Sequence, residues 1–358
     1  MAVVGADKED VEDLGLAKLD LLCLRAMSVV QECEELEKVR GVPLDLTEVP
    51  LDDSRVYDAL GRADTIGASQ VESRAQQQSL VRTRPRKFSD LMAQVAIIRP
   101  GPIQGGMVHP YYKRRTGEEP VRYPHPKLEP ILRDTLGIIL YQEQVLLSVS
   151  ALTGCTAGEA DGFRRAMGSH RSRKAMEALR PWFVGRAVAN GVSERVAEDC
   201  FGQIAGFADY GFCQSHAAAL ARLAYETMWL KLYHPSAFVA GPLNNQPMGF
   251  YPVEVLVWDT RRRGVRFLPV GINGSTARCT LEGDEPLVRL GLGRVKGVGE
   301  SVAESIVRAR GEGGPYDSLA GFARRTGTVG RPLENLVLAG AFDRLGRLVS
   351  SCCGTRTR

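Results

Sequence analysis

The chain of 358 residues is 44% hydrophobic and 25% charged, which is the composition of an ordinary soluble globular protein with room for two domains. Its net charge of +4 permits a nucleic-acid partner but is weak evidence for one. No apolar run approaches the ~20 residues that span a bilayer, and the N-terminal segment turns acidic where a secretory signal turns apolar. We therefore expect a cytoplasmic protein without a membrane partner.

The segment from Gly15 to Leu24 is apolar except for Lys18 and Asp20, and it is predicted to be a strand. Residues two apart on a strand point to the same face, so the two charges would be neighbours. A carboxylate within an apolar strand must be paired, hydrated or bound to a cation. Asp20 could hold Mg²⁺ while Lys18 contacts a phosphate, although the segment by itself favours a structural ion pair. A helix is predicted from Arg25 to Lys38.

Another helix is predicted near Phe88–Ile98, with Ser89 as its N-cap and Asp90 at its start. The sequence RPGP at 99–102 should end this helix, because proline lacks an amide hydrogen and fixes a rigid loop.

A basic cluster follows, in which Lys113, Arg114 and Arg115 lie beside Tyr111 and Tyr112. Cations interleaved with aromatic residues suit a nucleic-acid backbone. A solvated surface loop has the same pattern, so both interpretations stay open.

The densest positive charge lies in the stretch from Asp161 to Lys174, DGFRRAMGSHRSRK, which contains the adjacent Arg164 and Arg165. Guanidinium groups present forked donors that match phosphate oxygens. A phosphate site and a solvated basic face are equally compatible with this stretch. Upstream of it, Gly137 to Val149 is predicted to begin as a strand and to continue as a helix.

The segment from Gly206 to His216, rich in glycine and aromatic residues, leads into an alanine-rich helix for which Ser215 is a plausible N-cap. The free N–H groups of the first turn, with Tyr210 and His216 beside them, would make an anion site. A histidine at a helix start is, however, more often a simple surface residue.

A glycine turn at Gly297 and Gly299 separates two predicted amphipathic helices within Leu292–Arg310, a pattern typical of a helix-hairpin-helix element. Its glycines let backbone N–H groups approach a DNA phosphate, and Lys296 can reinforce that contact. An accidental helix connection is the alternative. The apolar helix predicted over Leu333–Phe342 favours DNA binding.

Seven segments run in a recognisable order from about Asp7 to Leu345: ADKEDVEDLGLAKLDLL, IRPGPIQGGMVHPYYKRR, YPHPKLEPIL, TLGIILYQEQVL, GEADGFRRAM, GFADYGFCQSHAAA and LNNQPMGFY. Together they resemble the bacterial C-family DNA polymerases, the alpha subunits of DNA polymerase III. The IQGGMVHP and LNNQPMGFY segments favour the error-prone, damage-tolerant branch over the replicative one.

The resemblance implies a mainly α fold with small β elements (α+β). Residues 1–23 would be a palm remnant with the strand of its third carboxylate, 24–245 the helical fingers domain, and 246–345 a post-fingers region with the helix-hairpin-helix. The Pro/Gly/Asn-rich passage from Pro235 to Pro252 supports a boundary there. The tail, 346–358, loses apolar periodicity, so we expect it to be disordered or the product of a shifted reading frame.

The resemblance also implies residue roles. Asp20 corresponds to the third of three carboxylates that bind catalytic Mg²⁺, while Lys18, Arg164 and Arg165 correspond to residues that contact the incoming triphosphate. Tyr210, Ser215 and His216 match a fingers motif near the nucleotide. The expected DNA contacts are Arg99, Lys113, Arg114, Arg115, Lys296, Gly297 and Gly299.

The implied reaction is addition of deoxynucleotides to a primer 3′ end by two-metal phosphoryl transfer, in translesion synthesis during DNA repair. The partners would be primed DNA and deoxynucleoside triphosphates, with a sliding clamp or mutagenesis accessory proteins as further candidates. No acidic pair precedes Asp20, and one carboxylate cannot hold two Mg²⁺ ions, so we expect the chain alone to be inactive. The alternatives are a non-catalytic DNA-binding fragment and a degenerate gene product.

Overall fold

The fold was obtained as a computed structural model, which describes residues 5, 8–16, 24–99, 106–166, 172–207, 212–249, 251–283 and 286–345. Helices dominate these residues and only a small sheet accompanies them, which confirms the predicted mainly α fold with small β elements. None of the described helices is long and apolar enough to cross a bilayer. The predicted strand around Asp20 and the tail lie outside the described residues.

Within the described residues, fourteen helices precede the sheet. Helices α1 to α7 are Lys8–Asp13, Arg25–Val39, Ser54–Gly61, Arg74–Thr83, Phe88–Ile97, Val108–Thr116 and Glu129–Leu132. Helices α8 to α14 are Gln142–Thr153, Ala157–Ala166, Ser172–Ala189, Glu194–Phe207, Gln214–Tyr233, Pro235–Asn244 and Val253–Arg261. Helix α2 begins at the predicted residue and ends one residue later than predicted.

The largest core is built around α12 and α13, whose side chains are buried on most faces, as expected for helices that are apolar all round. Helix α13 packs on α2 with very close backbones. A Cβ at Gly241 would lie 2.9 Å from the Cys33 Sγ and 3.1 Å from the Val29 carbonyl oxygen, so only glycine fits there. Burial raises the pKa of the Cys33 thiol far above its ordinary value.

A second core joins α8 to α11 through a row of aromatic rings. The Phe163 and Phe183 centroids are 6.0 Å apart, and those of Phe183 and Phe201 are 5.7 Å apart. Tilted and edge-on aromatic pairs of this kind add stability beyond the area that they bury. The second core therefore holds the arginine-bearing helix α9 from its apolar side.

A three-stranded sheet follows α14, with strands β1 (Arg266–Leu268), β2 (Thr280–Leu281) and β3 (Leu287–Arg289) in the order β1-β3-β2. Strand β3 pairs in parallel with β1 and antiparallel with β2. Its central residue, Val288, is buried in the same core as α12 and α13, together with Leu256 and Val265. The predicted boundary after residue 245 thus falls within a continuous core, and it stays a prediction.

The C-terminal part has its own core, formed by α15 (Glu300–Gly313), α16 (Leu319–Thr326) and α17 (Arg331–Leu338). Phe322 occupies its centre, with ring centroids 5.0 Å from those of both Tyr316 and Phe342. The predicted apolar helix near Leu333–Phe342 is confirmed, although it begins two residues earlier and ends at Leu338.

The predictions for the segments before α5 and α8 were wrong. Residues 137–141 form no strand, because the Leu140 and Tyr141 N–H groups donate to the Gln144 Oε1 at 2.8 and 3.1 Å instead of to a neighbouring strand. Ser89 is not an N-cap, since α5 begins at Phe88 and its capping position is occupied by a lysine without a side-chain hydrogen bond.

Candidate functional site

Arg99, one of the expected DNA contacts, lies just after α5 and stacks on an aromatic ring. Its guanidinium carbon is 3.7 Å from the centroid of the Phe212 ring, a cation–π contact. The Phe212 ring in turn packs edge-on against His216, at 5.3 Å between centroids. Desolvation by burial lowers the pKa of Arg99, which remains a cation at neutral pH.

A cavity of about 420 Å³ opens beside Arg99 and collects residues that are far apart in the chain. Gln70 and Glu72 come from the segment before α4, Thr227 from α12, and Met248 from the segment after α13. Arg99 and Met248 lie in two of the sequence motifs described above, and Thr227 lies on the helix that continues a third. The fold therefore brings motif residues about 150 positions apart in the chain to one concave surface.

Glu72 is the acidic group of this cavity. Burial raises the pKa of its carboxyl, against the opposing effect of hydrogen bonds donated by the Tyr251 hydroxyl and the Gly67 N–H. Gly67 has a left-handed backbone, and a Cβ there would lie 2.7 Å from the Phe238 Cζ. The loop that delivers Glu72 is thus fixed both by packing and by hydrogen bonds.

Lys231 is fully buried beneath the loop that carries Gly67 and Glu72, and it binds the backbone of that loop. Its Nζ lies 2.8 Å from the Asp259 Oδ2 and 3.3 Å from the Asp64 Oδ1, and it donates to the Ile66 carbonyl at 2.8 Å. Burial raises the pKa of Asp64, but the cations of Lys231 and Arg263 outweigh burial and leave that pKa lowered. Sequence reasoning missed this lysine, although its place in the apolar run MWLKLY indicates a buried cation with partners.

The N-terminus of α12 already contacts a carboxylate of the chain itself. The Gln214 N–H donates to the Glu143 Oε2 at 2.8 Å, and the Gln142 N–H donates to the Phe212 carbonyl at 2.9 Å. Ser215 is not the N-cap as predicted, because Cys213 occupies that position and the Ser215 hydroxyl lies within the first turn. The Glu143 carboxylate therefore occupies part of the predicted anion site at the start of α12.

The remaining triphosphate candidates fall largely outside the described residues. Lys18, Asp20 and Tyr210 are not described, and of Arg164 and Arg165 only the backbone in α9 is. Ser215 and His216 are exposed at the start of α12. The roles assigned to these residues stay predictions. Within the described ranges, no three His, Cys, Asp or Glu side chains are placed to hold a metal ion.

The basic cluster lies on α6, and two of its three cations have partners within the protein. Arg115 makes a two-pronged ion pair with Asp90, at 3.0 and 2.7 Å. Arg114 donates to the Leu136 carbonyl at 2.8 Å and lies 3.4 Å from Glu119. Lys113 is exposed and is the cluster member best placed for an external phosphate.

The glycine turn of the predicted helix-hairpin-helix is exposed. Gly297 adopts φ +79°, a left-handed conformation that favours glycine, and Gly299 is the N-cap of α15. The Asn335 side chain donates to the Lys296 carbonyl at 2.6 Å and so ties the turn to α17. The predicted helix before the turn is shorter than expected, since it is one 3₁₀ turn at Leu292–Arg294.

Comparisons with known proteins agree with this arrangement. Residues 26–191 match the bacterial DNA polymerase III alpha subunit finger domain, and residues 264–349 match a helix-hairpin-helix motif. The chain is 47% identical to the error-prone DNA polymerase of Symbiobacterium thermophilum over 95% of its length. It is 44% identical to that of Mycolicibacterium paratuberculosis and 42% to that of Methylococcus capsulatus, each over 96% of its length.

In these three comparisons the chain spans 33%, 32% and 35% of the relative, about a third of its length. The two matched families follow one another in the order that the sequence motifs predict. The chain therefore belongs to the bacterial DNA polymerase III alpha-subunit family, together with the proteins named error-prone DNA polymerase.

Proposed function

We propose that this chain is the fingers and helix-hairpin-helix part of an error-prone DNA polymerase, which adds deoxynucleotides to a primer 3′ end during translesion synthesis. The observation that carries the proposal is the convergence of Arg99, Met248 and Thr227 on one cavity, since Arg99 and Met248 belong to different motifs and Thr227 lies on the helix that continues a third. High identity over nearly the whole chain to proteins named error-prone DNA polymerase supports it.

Polymerases of this family use divalent metal ions, and we propose Mg²⁺ with Asp20 as one ligand. The described residues form no metal site of their own, so further carboxylates must come from outside them. Such ions would supply charge neutralisation at the reacting phosphates. As an isolated polypeptide with one assigned carboxylate, the chain is proposed to be inactive.

The chain's own contribution would be to bind and orient the substrates. By the resemblance, Lys18, Arg164 and Arg165 balance the charge of the deoxynucleoside triphosphate, and Tyr210, Ser215 and His216 lie near it. Lys296, Gly297 and Gly299 would hold the DNA duplex through its phosphates. A sliding clamp, mutagenesis accessory proteins and a cytoplasmic location remain predictions.

A graft tests the proposal. The corresponding third of the Symbiobacterium error-prone polymerase is replaced by residues 1–345, and primer extension is measured with Mg²⁺ and all four nucleotides. We expect extension by the graft, and its loss in the Asp20→Ala version. The 358-residue chain alone, in parallel, is expected to extend nothing.

The controls separate misfolding from a wrong proposal. The circular dichroism spectrum and the primed-DNA affinity of the graft show whether it is folded. A folded graft that binds primed DNA but does not extend it would refute the polymerase assignment. Extension that survives Asp20→Ala would refute the role of that carboxylate.

A further inference from the structure

A groove of about 1060 Å³ lies between the α4–α5 connection and α6, away from the cavity beside Arg99. Its wall contains the basic run RTRPRK at 82–87, which none of the family motifs includes. Six Lys or Arg and two Asp or Glu line it, a formal surplus of four positive charges with its histidine neutral.

Several of these cations are exposed and form no ion pair within the described residues. Arg82, Arg84, Arg86 and Lys113 are exposed, and within the described part of the chain no carboxylate lies within ion-pair distance of any of them. Lys87 differs, because it pairs with Asp134 at the surface. Exposed unpaired cations that line one concavity attract an anion more strongly than the same charges scattered over a surface.

The groove is also fixed in shape before anything binds. Arg115 reaches across from α6 and donates to the Thr83 carbonyl at 2.7 Å and the Arg84 carbonyl at 3.0 Å. Asp90 pairs with this guanidinium and accepts the Arg86 N–H at 2.9 Å. Arg115 is therefore a positioning residue for the loop, and the loop's cations need little ordering when they bind.

An aromatic ring completes the wall. The Arg82 guanidinium carbon lies 5.7 Å from the centroid of the Tyr112 ring. The bases of a single strand can stack on flat guanidinium and phenol groups, whereas the bases of a duplex are already stacked on one another inside the double helix. A phosphate-binding concavity with such a wall suits a single strand better than a double helix or an acidic peptide.

We propose that this groove binds single-stranded nucleic acid, with Arg86 and Lys113 contacting phosphates and a base lying against Arg82 and Tyr112. The proposal deepens the proposed DNA-binding function and rests on it for the role of Lys113, which is an expected DNA contact. It requires no polymerase chemistry. It gives the chain a strand-binding surface in addition to the duplex contact of the helix-hairpin-helix turn.

The test is fluorescence anisotropy of a labelled oligo-dT of about 12 nucleotides with the full chain, over a range of salt concentrations. Arg86→Gln/Lys113→Gln removes two groove charges. Lys38→Gln/Arg195→Gln removes two exposed charges elsewhere and is the matched control. Each phosphate contact adds ~0.7 to the slope of log affinity against log salt concentration for a single strand, so losing two contacts should reduce that slope by about 1.4. If the two variants bind equally at about 1 M salt, the affinity at about 0.1 M salt should fall about 25-fold.

Each outcome decides the proposal. A loss of oligo-dT affinity confined to the groove variant, with its thermal midpoint unchanged, supports it. Equal affinities of the groove and control variants, no binding of the strand by the unmodified chain, or equal competition by a polyglutamate peptide would overturn it. Tyr112→Leu should weaken oligo-dT binding while leaving the salt slope unchanged. Since no extension is measured, failure of the polymerase graft leaves this result intact.

Discussion

The ion pair between Arg115 and Asp90 makes the sharpest prediction about stability. The Arg115 side chain is 19% exposed and that of Asp90 is 7% exposed, so both charges are largely withdrawn from water. Removing one member of a buried pair costs about 3–5 kcal/mol, and the partial exposure places this pair at the low end. Arg115→Ala should therefore lower the free energy of unfolding by about 3 kcal/mol, part of it from the carbonyls of Thr83 and Arg84 that lose their donor.

Urea unfolding followed by circular dichroism measures this loss, with Lys113→Ala as a neighbouring exposed control that should change stability by less than about 0.5 kcal/mol. Arg115→Lys keeps the charge but loses the two-pronged geometry, so it should lose about 1.5 kcal/mol. A loss below about 1 kcal/mol for Arg115→Ala, or a lysine variant as stable as the original, would refute the positioning role of Arg115.

Four further predictions concern other parts of the chain. Lys231→Met removes the buried cation beside the Asp259 Oδ2, leaving Arg262 at the other carboxylate oxygen, and should lower the free energy of unfolding by about 3 kcal/mol, measured in urea. Gly67→Ala forces a Cβ into core side chains at positive φ. It should lower the free energy of unfolding by about 1–3 kcal/mol, which a lower thermal midpoint would show. Because the pKa of Asp64 is lowered in the folded protein, its stabilising effect is present above the unfolded pKa of about 3.9 and is lost as the pH falls through the folded pKa. Asp64→Asn should make this loss of stability at acid pH smaller, as measured by urea midpoints from pH 7 down to about pH 2. Lys296→Gln should reduce the salt slope of duplex binding by about 0.9, and an unchanged slope would exclude a phosphate contact there.

Periodic helices were the part of the fold that sequence reasoning predicted best. Helix α2 was predicted to within one residue because its apolar positions recur with helical spacing over four turns. The extended residues before α8 were mistaken for a strand because apolar β-branched residues look the same in both settings. Only the structure shows that the Gln144 side chain takes the hydrogen bonds that a strand would give to its neighbour.

The candidate site was less predictable, because its Lys and Arg residues differ in their contact partners, which the sequence does not show, rather than in residue type. Lys113 and Arg115 are near neighbours in the sequence, yet one is exposed and the other is bound to a carboxylate 25 residues away. No local pattern distinguishes them. Lys231 was overlooked for the opposite reason, because a single lysine in an apolar helix gives no periodic signal and its partners lie on distant segments.

The hydrogen bonds between the start of α8 and the start of α12 have a structural consequence. Gln142 and Glu143 belong to the helix that opens the second core, while Phe212 and Gln214 lead into the central helix of the first. These hydrogen bonds connect the second core to the segment that carries the ring under Arg99. The arginine-bearing second core and the surroundings of Arg99 therefore share one hydrogen-bonded junction, although the two cores are otherwise built from different helices.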